Sequence, residues 1–264
     1  VHAEDRQHRP VPDGRRPLLL LHGGGPGVDA RSNWQTVSSR LARRFDVLTP
    51  DLLGFGDAVG DAGLDGLPVG PAAWAVARAH QVLALLDARD IDTVAVVGNS
   101  AAGGAAALRL LSLAPERVRA AVVMGGAGTG PLPARVPFYG TPTRESMRAT
   151  LANLVADEAE HVELLDDLAD LRLRQALQPG AERAFRAMFE PDPPEAPRLD
   201  PAAITCPVLA LHGELDRVAP VEVSQRLVDS LPGAELAVVA GAGHWIHVDR
   251  PESFCTHVEE FLGA

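Results

Sequence analysis

Two kinds of apolar pattern alternate along this chain. Short unbroken runs suit strands buried on both faces, and between them stand segments whose apolar side chains recur at helical spacing. Leu18-Leu19-Leu20-Leu21 is the first run, bounded by Pro17 and a glycine cluster. A helix is expected over Ser32–Arg44, then a strand at Phe45–Thr49 and a loop rich in Gly and Asp from Asp51 to Pro71. Helical spacing over Ala72–Ala88 leads to a strand over Asp92–Gly98, and a helix over Ala101–Ala114 stops before Pro115, followed by a strand at Val118–Met124. This rhythm predicts right-handed crossovers and an α/β architecture, a mostly parallel central sheet with helices on both faces. Between Pro131 and Pro201 the rhythm lapses into several helical segments, an acidic run from Asp157 to Asp170 and the Pro-rich Pro191-Asp192-Pro193-Pro194. It resumes with a strand at Val208–Gly213, a helix at Val221–Ser230, a strand at Glu235–Ala240 and a closing helix at Pro251–Leu262. The expected organisation is a core of residues 1–130 and 202–264 with a helical cap, 131–201, inserted into it. No internal repeat is evident.

Composition narrows the classes of function. A chain of 264 residues, 46% apolar and 22% charged, suits one soluble globular unit with a sizeable core. Its formal net charge of -11 argues against nucleic acid and against an anionic membrane surface as partners. Two cysteines, Cys206 and Cys255, are too few for a disulfide framework. Neither a membrane-spanning run nor a signal-peptide leader is visible, and a reducing, cytoplasmic location is expected.

Chemistry concentrates where strands are expected to end. Val94-Ala95-Val96-Val97 breaks at Gly98-Asn99-Ser100-Ala101-Ala102-Gly103-Gly104 into a turn of small residues and then a helix. That is the layout of a nucleophile elbow with Ser100 at its apex, although Ala102 stands where a glycine is usual and Gly103 comes next. Read alone, the same stretch is a strand-helix turn with a capping serine. The glycine-rich His22-Gly23-Gly24-Gly25-Pro26-Gly27 lets backbone N–H groups approach a ligand, yet it is neither a P-loop nor a dinucleotide fingerprint. Two later strand ends carry Asp216, with Glu214 as a rival, and His244. Singly, these are a turn cap and a loop histidine. Jointly, the order Ser, Asp, His at the carboxyl ends of strands supplies what a serine nucleophile needs: an imidazole to take its proton and a carboxylate to orient the imidazole. His22, His212, His244 and His247 form no His-Glu-x-x-His or comparable ligand set, so no metal is expected, and no organic cofactor is implied.

With these motifs in place, the chain resembles an α/β-hydrolase, and within that superfamily the meta-cleavage product hydrolases. Those enzymes cleave a carbon–carbon bond in ring-opened intermediates of aromatic degradation. His22 to Gly27 followed by Ser32-Asn33-Trp34, the Gly98-Asn99-Ser100 opening of the elbow, and Gly243-His244-Trp245 carry the likeness, which runs from about Leu18 to the C-terminus and is weakest in the cap. The resemblance implies Ser100 as nucleophile, His244 as base and then acid, Asp216 as orienter, and the backbone amides of Gly24 and Ala101 as oxyanion donors. It places Asn33, Asn99 and Trp245 beside the substrate and assigns a cap arginine to the polar end of a dienoate. Arg172, seven residues before Pro179, suits that setting, with Arg174 as a rival and an ion pair with Asp167 or Asp170 as the plainer fate of Arg172. Ala101 and Leu173 replace a bulky Met and an aromatic common in the family, which alters the pocket wall.

The expected activity is therefore hydrolysis of a bond next to a ketone in a 2-hydroxy-6-oxo-dienoate-like small molecule, either by direct serine attack or by an activated water. The same triad would also serve an esterase, lactonase or thioesterase acting on a small hydrophobic acyl group. A ligand-binding homologue without catalysis is the third reading, and a homodimer or higher homo-oligomer fits any of them.

Overall fold

The computed structural model describes residues 14–62, 66–126 and 138–263. The beginning of the expected cap, residues 131–137, lies outside the described residues. Among the described residues, six strands form one parallel sheet: β1 (Arg16–Leu21), β2 (Phe45–Leu48), β3 (Val94–Asn99), β4 (Val118–Met124), β5 (Val208–Gly213) and β6 (Glu235–Val239), in the order β2-β1-β3-β4-β5-β6. The order reverses direction at β1, so the crossovers place helices on both faces and all strand C-termini on one edge.

Alternation along the strands explains the unbroken apolar runs. Leu19 and Leu21 pack with Val94 and Val96 on one face, together with helices α3 (Gly70–Asp87) and α4 (Ala105–Leu113). Leu18 and Leu20 pack with Ala95 and Val97 on the other, against Trp34 and the closing helix α10 (Pro251–Gly263). Both faces are covered, so the central strands are apolar through their middle, with Asn99 and His212 near the C-terminal ends of β3 and β5. Edge strand β6 is only partly covered, and Val238 there is half exposed.

The helix expected over Ser32–Arg44 is instead two short ones, α1 (Ala30–Trp34) and α2 (Ser38–Leu41). Asp29 starts α1 early, its Oδ1 accepting the Ser32 N–H at 2.6 Å as an N-cap. The hydroxyls of Thr36 and Ser38 then bond the carbonyls of His247 and Trp34, drawing the intervening backbone out of helical register. The helix expected from Ala101 also starts late. Ser100–Gly104 forms a π-helical turn before α4 begins, because the chain is still rounding the elbow.

Between β4 and β5 lie α5 (Arg144–Ala152), α6 (Val162–Ala176) and α7 (Ala181–Met188). Met147, Leu151, Leu165, Leu168 and Ala169 form a cluster with Trp245 and Val248, next to the strand C-termini. Helix α8 (Val221–Ser230) covers β5 and β6, and the short α9 (Ile246–Asp249) follows β6. No helix among the described residues is long and apolar enough to cross a membrane.

Candidate active site

Strand β3 delivers Ser100 at φ +55°, a left-handed conformation uncommon for a residue with a side chain. Such strain, of order 1–2 kcal/mol, persists where surrounding structure imposes it. Here the imposition is close packing. A methyl group on Gly103 would lie 2.1 Å from the Leu21 carbonyl oxygen, so the elbow closes onto β1 only with glycine at that position. Ala102 keeps its methyl because Gly24 opposite has none: a Cβ built on Gly24 would sit 3.2 Å from that of Ala102.

The loops after β5 and β6 bring Asp216 and His244 to this serine. His244 Nδ1 donates to Asp216 Oδ2 at 2.7 Å, which leaves Nε2 as acceptor for the Ser100 hydroxyl at 2.8 Å. Asp216 Oδ1 accepts the backbone N–H groups of Val218 and Ala219 at 2.7 and 3.0 Å. Burial by itself would raise the Asp216 pKa, but the bond from His244 and the two amides outweigh it and hold the carboxyl below its ordinary value. Glu214, the rival carboxylate, accepts from Gly241 N–H at 2.9 Å at the surface and takes no part in this relay. His212 lies beside Asp216, hydrogen-bonded to Ser224 and to the Ala219 carbonyl, with burial pushing its pKa down.

The glycine loop after β1 forms the opposite wall. A Cβ on Gly23 would be 3.2 Å from Asn99 Nδ2 and 3.6 Å from Ser100 Cβ, and a Cβ on Gly24 would be 3.5 Å from the Ala102 nitrogen. Gly24 and Ala101 thus sit at the elbow from two sides. His22 anchors the loop: its Nδ1 donates to the Gly23 carbonyl at 2.8 Å and its Nε2 accepts the Leu52 N–H at 2.9 Å. Complete burial, with lesser contributions from Arg78 and Arg172, drives its pKa down to about 3, so it stays neutral. Asp51 does the same for the next strand end, taking the Ala30 and Asp57 N–H groups.

Asn99 Nδ2 donates to Asn33 Oδ1 at 3.3 Å, which leaves Asn99 Oδ1 and Asn33 Nδ2 buried without a partner among the described residues. Arg172 is buried as well. Its guanidinium lies 4.8 Å from the centre of the Trp245 ring, and a Cβ on Gly25 would be 3.3 Å from its Nη1. Its Nε and Nη2 have no hydrogen-bond partner among the described residues. Burial lowers its pKa to about 10, partly opposed by Asp29, so it remains charged near neutrality. The ion pair considered for it is absent: Asp170 bonds Arg144 at 2.9 Å, and Arg174 is exposed. Periodicity held the signal. Leu165, Leu168, Ala169, Arg172 and Ala176 share the buried stripe of α6, whereas Asp167, Asp170 and Arg174 lie on its outer face. His22, Asp51 and His212 give no comparable signal, since their partners come from distant loops. A surface groove of about 770 Å³ between α6, α7 and residues 66–69, lined by Tyr139, Leu177 and Arg186 among others, contains none of the triad residues.

A parallel sheet that presents a strained serine, an imidazole and a buried carboxylate at one edge defines a serine hydrolase of α/β fold. The model of the alpha/beta hydrolase family matches residues 18–256, and the chain belongs to that family. It is 35% identical to a 2-hydroxy-6-oxo-2,4-heptadienoate hydrolase of Pseudomonas putida strain F1, over 94% of this chain and 89% of that protein. It is 34% identical to a 2-hydroxymuconate semialdehyde hydrolase of Pseudomonas sp. strain CF600, over 93% and 86%. Among solved structures, a 2-hydroxy-6-oxo-6-phenylhexa-2,4-dienoate hydrolase from Rhodococcus sp. strain RHA1 superposes with a TM-score of 0.82 at 32% identity, covering 95% of this chain and 91% of that one.

Proposed function

We propose that this protein hydrolyses the carbon–carbon bond beside the ketone of a 2-hydroxy-6-oxo-dienoate, a reaction its named relatives share in kind. Buried Arg172 carries the proposal: a cation desolvated on Trp245, without a carboxylate partner among the described residues, suits a carboxylate on the ligand. Asn33 and Asn99 flank the same region with unpaired polar atoms suited to the 2-hydroxy or oxo oxygens.

In this reading the dienol is first ketonised, a proton moving from oxygen to carbon, so that the departing fragment can accept an electron pair. His244 removes the Ser100 proton while Oγ adds to the ketone carbon, and the amides of Gly24 and Ala101 stabilise the oxyanion. The carbon–carbon bond then breaks, its pair goes to the dienoate fragment, and the imidazolium returns the proton. Water releases the acyl group as a carboxylic acid by the same steps reversed in role. Asp216 holds the imidazole tautomer throughout. Residues 131–201 act as the cap that closes this pocket. Its described helices bring Arg172 to Gly25, and Phe189, which ends α7, lies beside Gly24.

The test is a panel containing a coloured ring-fission dienoate and neutral p-nitrophenyl esters, with Ser100→Ala as control. Dienoate turnover well above ester turnover and lost in Ser100→Ala is expected. Ester turnover alone would make the protein a plain esterase, and no turnover on either would leave the ligand-binding reading.

A further inference from the structure

Outside the triad, the carboxylate of Asp249 is buried as completely as that of Asp216. The Asp249 side chain, at the end of α9, is 1% exposed, and its oxygens meet three donors from two parts of the chain. Oδ2 accepts the Gly243 N–H at 2.7 Å and the Ala156 N–H at 3.0 Å, and Oδ1 lies 2.9 Å from His161 Nε2. Gly243 immediately precedes His244, whereas Ala156 and His161 lie in the loop between α5 and α6.

A second bond reinforces the first on the other side of the histidine: Trp245 N–H donates to the Leu154 carbonyl at 2.7 Å. The two backbone segments touch so closely that a Cβ on Gly243 would lie 2.7 Å from the Ala156 nitrogen. Arg250 with Glu160, and Arg217 with the Ala156 carbonyl, fasten the rim of the same contact. His244 therefore stands between two residues pinned to the helical insertion.

We propose that Asp249 is a positioning residue for His244: its carboxylate locks the histidine loop onto the 154–161 segment, which sets the imidazole against Ser100. The proposal rests on His244 being the base, as argued above. Without the carboxylate, the buried Gly243 N–H and the half-buried Ala156 N–H lose their acceptor, and the buried one recovers a partner only if the segments separate and admit water. An imidazole tethered at one end only would sample geometries in which Nε2 misses the serine hydroxyl, and a misplacement of this size costs rate rather than affinity.

The experiment compares Asp249→Ala and Asp249→Asn by steady-state kinetics and by peptide-resolved amide hydrogen exchange. In Asp249→Ala, kcat should fall about tenfold or more with KM within about twofold of wild type. Exchange should quicken in peptides covering 154–156 and 241–245 while β3 and β4 stay protected. Asp249→Asn should recover kcat to within about threefold, because its carbonyl can face both amides while its NH₂ donates to His161 in the other tautomer. Should Asp249→Ala fail to fold, Asp249→Ser, whose hydroxyl can still accept one N–H, carries the same comparison. A folded Asp249→Ala with wild-type kcat, exchange rising uniformly across the sheet, or Asp249→Asn as impaired as the alanine variant would each overturn the proposal. The exchange result needs no turnover, so it stands apart from the Ser100→Ala control that tests the assignment of the triad.

Discussion

The guanidinium of Arg172 lies 4.8 Å from the centre of the Trp245 ring, and the two side chains reach that contact from helix α6 and from the residue directly after His244. Stacking on the aromatic face offsets only part of the desolvation that lowers the Arg172 pKa to about 10, and Nε and Nη2 are left without a hydrogen-bond partner among the described residues. The contact also joins the helical insertion to the histidine loop, so Arg172 and the triad share one support.

Removing that arginine should separate two substrates. Arg172→Ala is expected to cost roughly 1–3 kcal/mol in kcat/KM for a dienoate, the scale of a lost charged hydrogen bond, and much less for a neutral ester. Equal losses on both substrates would make Arg172 a packing residue, and unchanged dienoate kinetics would remove its role. Thermal stability should fall little or rise, since the variant no longer buries a charge without a carboxylate partner among the described residues.

Backbone strain at the elbow gives a second expectation. Ser100 sits at φ +55°, so Ser100→Ala keeps the strain and Ser100→Gly relieves it. Both variants should lose most turnover. In denaturant titrations Ser100→Gly should be at least as stable as Ser100→Ala, even though glycine normally costs about 0.5–1 kcal/mol of chain entropy. A glycine variant clearly less stable than the alanine one would show that the turn is unstrained.

Much of this arrangement is legible in the amino-acid sequence. Strands Val118–Met124 and Val208–Gly213 have the bounds their apolar runs suggested, because a strand buried on both faces writes its length directly into the sequence. Ser100, Asp216 and His244 can be paired because each follows the end of an expected strand. The break between α1 and α2 could not be read, since it depends on Thr36 reaching the His247 carbonyl far along the chain. The same holds for Asp249 and His22, whose partners belong to loops that only the fold brings together. Arg172 is intermediate: its place on the buried stripe of α6 was readable, but its acidic neighbours in sequence pointed to an ion pair that the outward face of the helix precludes.

Neutral buried histidines should make stability fall on mild acidification. His22 and His247 are both fully buried, with pKa values driven down to about 3 from an ordinary 6.5. Between those values the unfolded chain binds protons that the folded chain does not, so stability is complete above about pH 6.5 and declines as the pH drops toward 3. Each such group contributes a slope approaching about 1.4 kcal/mol per pH unit. Urea unfolding of His22→Gln, followed from pH 7 to 5, should therefore show a shallower decline than wild type. Superimposable slopes would mean that His22 accepts a proton in the folded state.

Gly125, directly after β4, packs against the imidazole of His244. Its φ is +64°, and a Cβ there would lie 2.6 Å from His244 Cε1 and 3.2 Å from Nε2. The three nearest atoms all belong to the imidazole, a side chain that can turn aside, whereas a Cβ on Gly103 would strike the Leu21 carbonyl within the sheet. The two alanine variants should thus fail differently. Gly125→Ala should fold with a loss of about 1–2 kcal/mol from the positive φ, while its turnover drops by two orders of magnitude or so as Nε2 is pushed off the Ser100 hydroxyl. Gly103→Ala should lose stability first, because backbone must move to admit the methyl. Circular dichroism melts and dienoate kinetics on both proteins decide the matter. A Gly125→Ala protein with wild-type turnover would mean that His244 is free to take another position and still reach the serine.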